Sequence, residues 1–201
     1  MLKSILLSAA LVASLGTAAQ AAPVFFDDFE DDAEGLNASL SNWAVVSGSV
    51  DVIPFGGAFV WYGPGKYVDM NGSTGVAGRI ETLLSGLVTN AKYVLSFDYG
   101  FNRGSGTNEV LSFGIVDGDS GQLTKADFDT VGANFNSTTF TFTAGSTSAT
   151  LFFADVGASD ADFGGPVIDN ISVAAVPLPA AAPLLLAALG GLGLMRRRRR
   201  A

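Results

Sequence analysis

Alternation of apolar and polar residues is the dominant signal in the middle of the chain. Tyr93, Leu95, Phe97 and Tyr99 share one parity, with Ser96 and Asp98 on the other. Within residues 109–115, Leu111, Phe113 and Ile115 share a face, and residues 139–143 read Thr-Phe-Thr-Phe-Thr. A period of two sends successive side chains to opposite faces of a sheet, so each stretch predicts a strand with one buried and one solvated face. Shorter apolar or alternating runs predict further strands at 24–29, 43–46, 49–53, 66–70, 76–84, 148–156 and 166–174, rich in β-branched and aromatic residues. Gly, Asn, Asp and Ser, which tolerate tight turns, separate the runs. Nothing between residues 22 and 175 holds a convincing 3.6-residue period. The prediction is an all-β fold: an antiparallel β-sandwich, jelly-roll-like in its connections. Residues 101–108, Gly-rich and polar, predict an exposed loop, and residues 117–136 a longer irregular excursion.

The two ends depart from this pattern. Near the start, Lys3, an apolar run over 5–15 and Ala19-Gln20-Ala21 make a cleavable signal peptide of residues 1–21. At the other end, Val176-Pro177-Leu178-Pro179-Ala180 precedes an apolar run over 181–195 and five arginines at 196–200. An apolar run closed by a dense positive block reads as a short membrane stop with a basic cytoplasmic flank. As a helix the run extends about 22 Å, a marginal span of a bilayer. A marginal anchor with a short motif on its outer side points to a processing signal, with a permanent tail anchor as the alternative. Motif, run and arginine cluster in this order resemble the PEP-CTERM class of sorting signals, in its VPLPA variant. The resemblance implies transient insertion of the tail in the inner membrane and its removal by an exosortase. It further implies delivery by the export machinery to the cell surface or extracellular space of a Gram-negative bacterium that exports polysaccharide. The organisation is then a signal peptide (1–21), one β-sandwich domain (22–175) and a sorting signal with a short transmembrane helix (176–201).

Charge sharpens the picture. All 19 acidic residues lie within 22–175, where Lys66, Arg79, Lys92, Arg103 and Lys125 are the basic ones, a balance of −14. Such a domain has no electrostatic footprint for nucleic acid or anionic lipid, and suits divalent cations or a gel of charged polymer. Without cysteine there is no disulfide or thiolate chemistry, and without histidine neither a Ser-His-Asp triad nor His-ligated zinc.

A second resemblance is carried by Phe29-Glu30, by residues 67–72 (Tyr-Val-Asp-Met-Asn-Gly), 78–82 (Gly-Arg-Ile-Glu-Thr) and 93–98 (Tyr-Val-Leu-Ser-Phe-Asp), and by residues 168–173 (Ile-Asp-Asn-Ile-Ser-Val). In that order they are similar to bacterial choice-of-anchor domains and galactose-binding-like sandwiches. The usual Asn-Gly before Phe-Glu is here Asp27-Asp28. The resemblance implies a sandwich and permits carbohydrate binding.

Asp169 is the sharpest chemical feature. It shares parity with Val167, Ile171 and Val173, so regular pairing aims it inward, where it needs a cation, a hydrogen-bond cage or a bulge that turns it out. In the sandwiches this chain resembles, an acid there helps bind a structural calcium together with the segment near the start. That implies Glu30, Asp28 and Asp169 as ligands, oxygen donors of the kind calcium takes. A second calcium reading, from Asp117-Gly118-Asp119-Ser120-Gly121, fails at Gly121 and at Phe128, which leaves an Asp/Gly turn.

Trp61 and Tyr62 stand in a Gly/Pro-bracketed segment, which predicts an exposed stacking platform for sugar; the alternative for Trp61 is a place in the core. Trp43, in an alternating strand, predicts core. The functional expectation is an exported, non-catalytic protein of the cell surface or extracellular matrix that binds extracellular polysaccharide. A purely structural surface protein is the alternative, and a secreted glycoside hydrolase working through a carboxylate pair is third.

Overall fold

The alternating segment around Phe97 becomes an interior strand of one sheet of a two-sheet sandwich. The computed structural model describes residues 22–54, 62–101, 109–125, 134–157 and 164–177. Among them the strands are β1 (Pro23–Asp27), β2 (Ala44–Ser47), β3 (Asp51–Ile53), β4 (Tyr67–Asp69), β5 (Arg79–Ser85), β6 (Lys92–Phe101), β7 (Val110–Ile115), β8 (Ser120–Thr124), β9 (Asn136–Thr143), β10 (Ser148–Asp155) and β11 (Pro166–Ala175). The first sheet runs β3-β4-β11-β6-β9, with β1 also paired to β11; the second runs β2-β5-β10-β7-β8. Every pairing among these strands is antiparallel. The chain switches sheets repeatedly, which gives the antiparallel sandwich that the alternation predicts.

The core lies between the sheets. Phe97 of β6 packs edge-on against Phe113 of β7 and Phe153 of β10, each with ring centroids 4.9 Å away. Trp43 meets Phe25 and Phe153 at 5.5 and 5.7 Å, so its core assignment holds. Leu95, Leu111, Leu151, Ile171 and Val173 are fully buried around them. Each such side chain contributes about 1.5–3 kcal/mol relative to exposure, which is how a domain without disulfides holds together.

The loop expected over 117–136 contains a strand. β8 reads Ser-Gly-Gln-Leu-Thr and has no alternation to announce it. It forms because the turn at 115–119 folds the chain back on β7, with Leu123 opposite Leu111. That turn is the Asp/Gly segment: Asp117 sits at φ 57 and the Gly118 N–H donates to the Ile115 carbonyl at 3.0 Å. It is a hairpin turn, as its Asp/Gly composition predicts.

Of the exposed loop expected over 101–108, Phe101 instead ends β6 and is buried. The remaining residues 102–108 lie outside the described residues, as do the signal peptide (1–21), Trp61, the sorting motif from Leu178 through Ala180, the apolar run and the arginines. Among the described residues no helix is long and apolar enough to cross a membrane.

Candidate functional site

A bulge in β11 decides where Asp169 points. Asp169 pairs with Asp98, and Ser172 with Ser96, so β11 advances three residues while β6 advances two. Asn170 takes the extra place at φ 50, a left-handed conformation that asparagine tolerates better than most residues. The parity therefore flips. Ile168 faces the core opposite Tyr99, and Ile171 and Val173 face it beyond the bulge. Asp169 is not aimed into the core, as regular pairing requires, but joins Asp98 on the outer face of the first sheet.

Even there, Asp169 is only 4% exposed. Its Oδ1 accepts the Asn170 backbone N–H at 2.7 Å. The Asn170 side-chain amide donates to Asp169 Oδ2 at 3.1 Å and to Asp98 Oδ2 at 2.9 Å, so one amide clamps two carboxyl groups that face each other across the strands. Burial pushes the Asp169 pKa up to about 7; the Asn170 N–H pulls it down, and the charges of Asp98, Asp28 and Glu30 push it further up. Ser137, opposite Asp98, donates its hydroxyl to Asp98 Oδ1.

The three expected calcium ligands thus lie in one electrostatic neighbourhood, joined by Asp98. Glu30 Oε1, however, accepts the Lys66 N–H at 2.8 Å, and the Asp28 side chain accepts the Glu30 N–H at 3.3 Å. The donor chemistry suits a hard cation. The spacing does not: among the described residues no three acidic side chains are gathered so as to hold one ion. Asp27 belongs to the core instead. It accepts the Trp43 indole N–H at 2.8 Å and the Phe29 N–H at 3.0 Å.

Tyr62 is not an exposed platform. It is 2% exposed, stacked on Phe135 at 4.6 Å and edge-on to Tyr67 at 5.8 Å. Its O–H donates to the Phe101 carbonyl at 2.7 Å and accepts the Phe101 N–H at 3.0 Å. The ring lies over Gly100, where a Cβ would come within 2.4 Å of it. Tyr62 lies down on the sheet as a seal, because only glycine leaves room for the ring at that point of β6.

What remains open on this face is a groove of roughly 460 Å³ lined by Ser96, Asp98, Ser137, Thr139 and Asn170. The alternation in 93–99 already places Ser96 and Asp98 on the solvated side of β6. Asn170 could not be read from the sequence, because the bulge that exposes it leaves no mark in a strand whose apolar residues alternate.

A family model described as protein of unknown function (DUF642) matches residues 31–174. No curated protein matches the chain. Among solved structures, the chain is similar to TmCBM61, solved in complex with β-1,4-galactotriose: 12% identity, 68% of this chain and 90% of that one, TM-score 0.47. It is similar also to the CBM22-1 xylan-binding domain from Paenibacillus barcinonensis, at 13% identity over 81% of this chain and 100% of that one, TM-score 0.46. A third is the C-terminal CBM6 of LamC from Zobellia galactanivorans, at 12% identity over 75% and 98%, TM-score 0.44.

Proposed function

We propose, from the premise that this chain belongs to the DUF642 family, that it is an exported, non-catalytic protein of the cell surface or extracellular matrix that binds extracellular polysaccharide. The supporting observation is the groove on the outer face of the first sheet. Its hydroxyl groups donate and accept hydrogen bonds and its carboxylate and amide oxygens accept them, which suits the hydroxyl-rich surface of a sugar. Affinity electrophoresis through gels containing soluble polysaccharides tests it: retardation by at least one polymer is expected. Unchanged mobility in all of them leaves the structural surface protein as the better reading.

One observation favours a hydrolase as the second reading. Asp98 and Asp169 face each other and one has a raised pKa, a pairing of the kind glycosidases use. Asp98 lines the groove but Asp169 does not, and both Asp169 oxygens are held by Asn170. An acid withdrawn from the groove cannot protonate a leaving group in it, so binding without turnover is the reading adopted.

Export and sorting are part of the proposal. The order of motif, apolar run and arginines at 176–200 supports processing by an exosortase at the inner membrane. Intact mass of the extracellular protein from its host is expected to lack residues 1–21 and everything after 176–180. Retention of the arginines at 196–200 there overturns it.

Calcium enters the same reading through charge rather than through a finished cage. A cation beside Asp169, Glu30 and Asp28 would offset the charges that Asp98, Asp28 and Glu30 bring to bear on Asp169. At a hundredfold excess over Kd it stabilises by about 2.7 kcal/mol. Melting in millimolar calcium is expected several degrees above melting in EDTA, with magnesium less effective because it dehydrates reluctantly. In EDTA the sign reverses for the carboxyl itself. Asp169 holds its proton to about pH 7 in the folded chain and only to 3.8 as an ordinary solvated carboxyl, so stability falls as pH rises from about 4 to about 7 and levels off above. Asp169→Asn is expected to remove that slope and the calcium response with it. A wild-type midpoint indifferent to chelation overturns the metal.

A further inference from the structure

Strand register identifies the side chains that share the outer face of the first sheet. Phe26 pairs with Ser172, Ser172 with Ser96, and Ser96 with Thr139. Opposed residues of antiparallel strands project to the same side. Their neighbours Phe25, Phe97 and Phe140 pack into the core against Trp43 and Phe113, so the row itself faces out. It crosses β1, β11, β6 and β9, three strand spacings or about 14 Å. Phe26 heads the row and is 53% exposed. The adjoining row carries Asn170, Asp98 and Ser137, the polar lining of the groove.

Charge narrows the ligand. Among the described residues no lysine or arginine lines the groove. The Lys66 ammonium is held by the carbonyls of Glu30 and Asp32, at 2.7 Å each. Lys92 shares the face of Ser96 but stands four residues away along β6, about 13 Å. Asp98 lies in the groove, and Asp28 and Glu30 stand close enough to act on Asp169, its partner across the strands. An anionic sugar entering here meets like charge and no counter-ion, a repulsion that selects against it. An uncharged sugar meets acceptors for its hydroxyl hydrogens, since both donor positions of the Asn170 amide are taken by carboxyl groups and its carbonyl oxygen is left to accept.

Resting on the polysaccharide-binding reading, we infer that the ligand is an uncharged glycan chain laid across β1, β11, β6 and β9, with one sugar ring stacked on Phe26 and hydroxyls donating to Asp98. The aromatic anchor is then the strand residue Phe26 rather than Tyr62. Its apolar ring face covers the C–H face of a sugar while the row beyond it bonds the hydroxyls.

The test is affinity electrophoresis of the full protein in EDTA, with a neutral β-glucan, a neutral galactan, a neutral xylan, polygalacturonate and alginate as probes. Wild type, Phe26→Ala and Thr139→Trp are compared, each checked for an unchanged thermal midpoint. At least one neutral polymer is expected to retard the wild type, and the two anionic polymers not. Both variants are expected to weaken that retardation at least tenfold, one by removing the ring and the other by filling the row. Retardation that survives both substitutions places the site elsewhere, and preference for an anionic polymer overturns the ligand class; either result leaves the polysaccharide reading standing. Retardation by none of the five polymers removes that reading and the inference with it. Thr139→Trp alone decides the location if Phe26→Ala fails to fold.

Discussion

Replacing Phe97 by alanine is expected to destabilise the domain by about 3–5 kcal/mol, because a buried aromatic loses both its transfer free energy and the contacts around the cavity it leaves. Phe97 is the side chain on which the two sheets meet. Its ring is 4.9 Å from those of Phe113 and Phe153, on two strands of the opposite sheet, and 6.3 Å from Tyr99 on its own strand. A fall of roughly 10 °C in thermal midpoint follows for a domain of this size. Phe97→Leu keeps much of the volume and is expected to cost less than half as much. Denaturant unfolding of both variants is the measurement. A loss below about 1 kcal/mol for Phe97→Ala would mean that the sheets are held together elsewhere. The consequence reaches the groove, since the neighbours of Phe97 on β6, Ser96 and Asp98, point into it.

Asp27→Ala is expected to cost about 3–4 kcal/mol, the sum of a charge-assisted hydrogen bond and of donors left without a partner in the interior. Asp27 is 6% exposed and accepts from the Trp43 indole, the Phe29 N–H and the Asn42 side-chain amide. It also holds Phe29 at φ 55, the tight turn from which Asp28 and Glu30 extend. Asp27→Asn retains one acceptor and is expected to recover part of the loss. Equilibrium unfolding in EDTA and in calcium separates two roles. A core acceptor loses stability equally in both. Loss confined to the calcium condition would instead make Asp27 a metal ligand and overturn its assignment to the core.

Alternation carried most of the fold. Ten of the strands lie where period-two runs or short apolar runs place them, because a half-buried strand must write its two faces into alternate residues. β8 is the exception: an edge strand whose position depends on the hairpin turn at Asp117 and on backbone bonds to β7, neither of which needs an apolar pattern. Composition by itself excluded thiol and histidine chemistry and made the domain acidic.

The site depended on tertiary structure. Sequence parity sends Asp169 inward; one inserted residue, Asn170, reverses it, and a bulge is a property of how two strands match rather than of either strand alone. Glu30, Asp28 and Asp169 were legible as an acidic set, but Asp98 joins them only because β6 pairs with β11 through that bulge. Tyr62 had the local signature of an exposed loop aromatic, and the space above Gly100 draws it down onto the sheet. Phe26 sits in an apolar run, Val24-Phe25-Phe26, within the strand predicted at 24–29, whose pattern does not say which ring is buried; the pairing of β1 with β11 decides that Phe25 goes in and Phe26 stays out. Local pattern determines which residues form strands, because each strand sees its own two faces. Which polar and aromatic groups meet on one face is set by register between distant segments, and that information belongs to the pair.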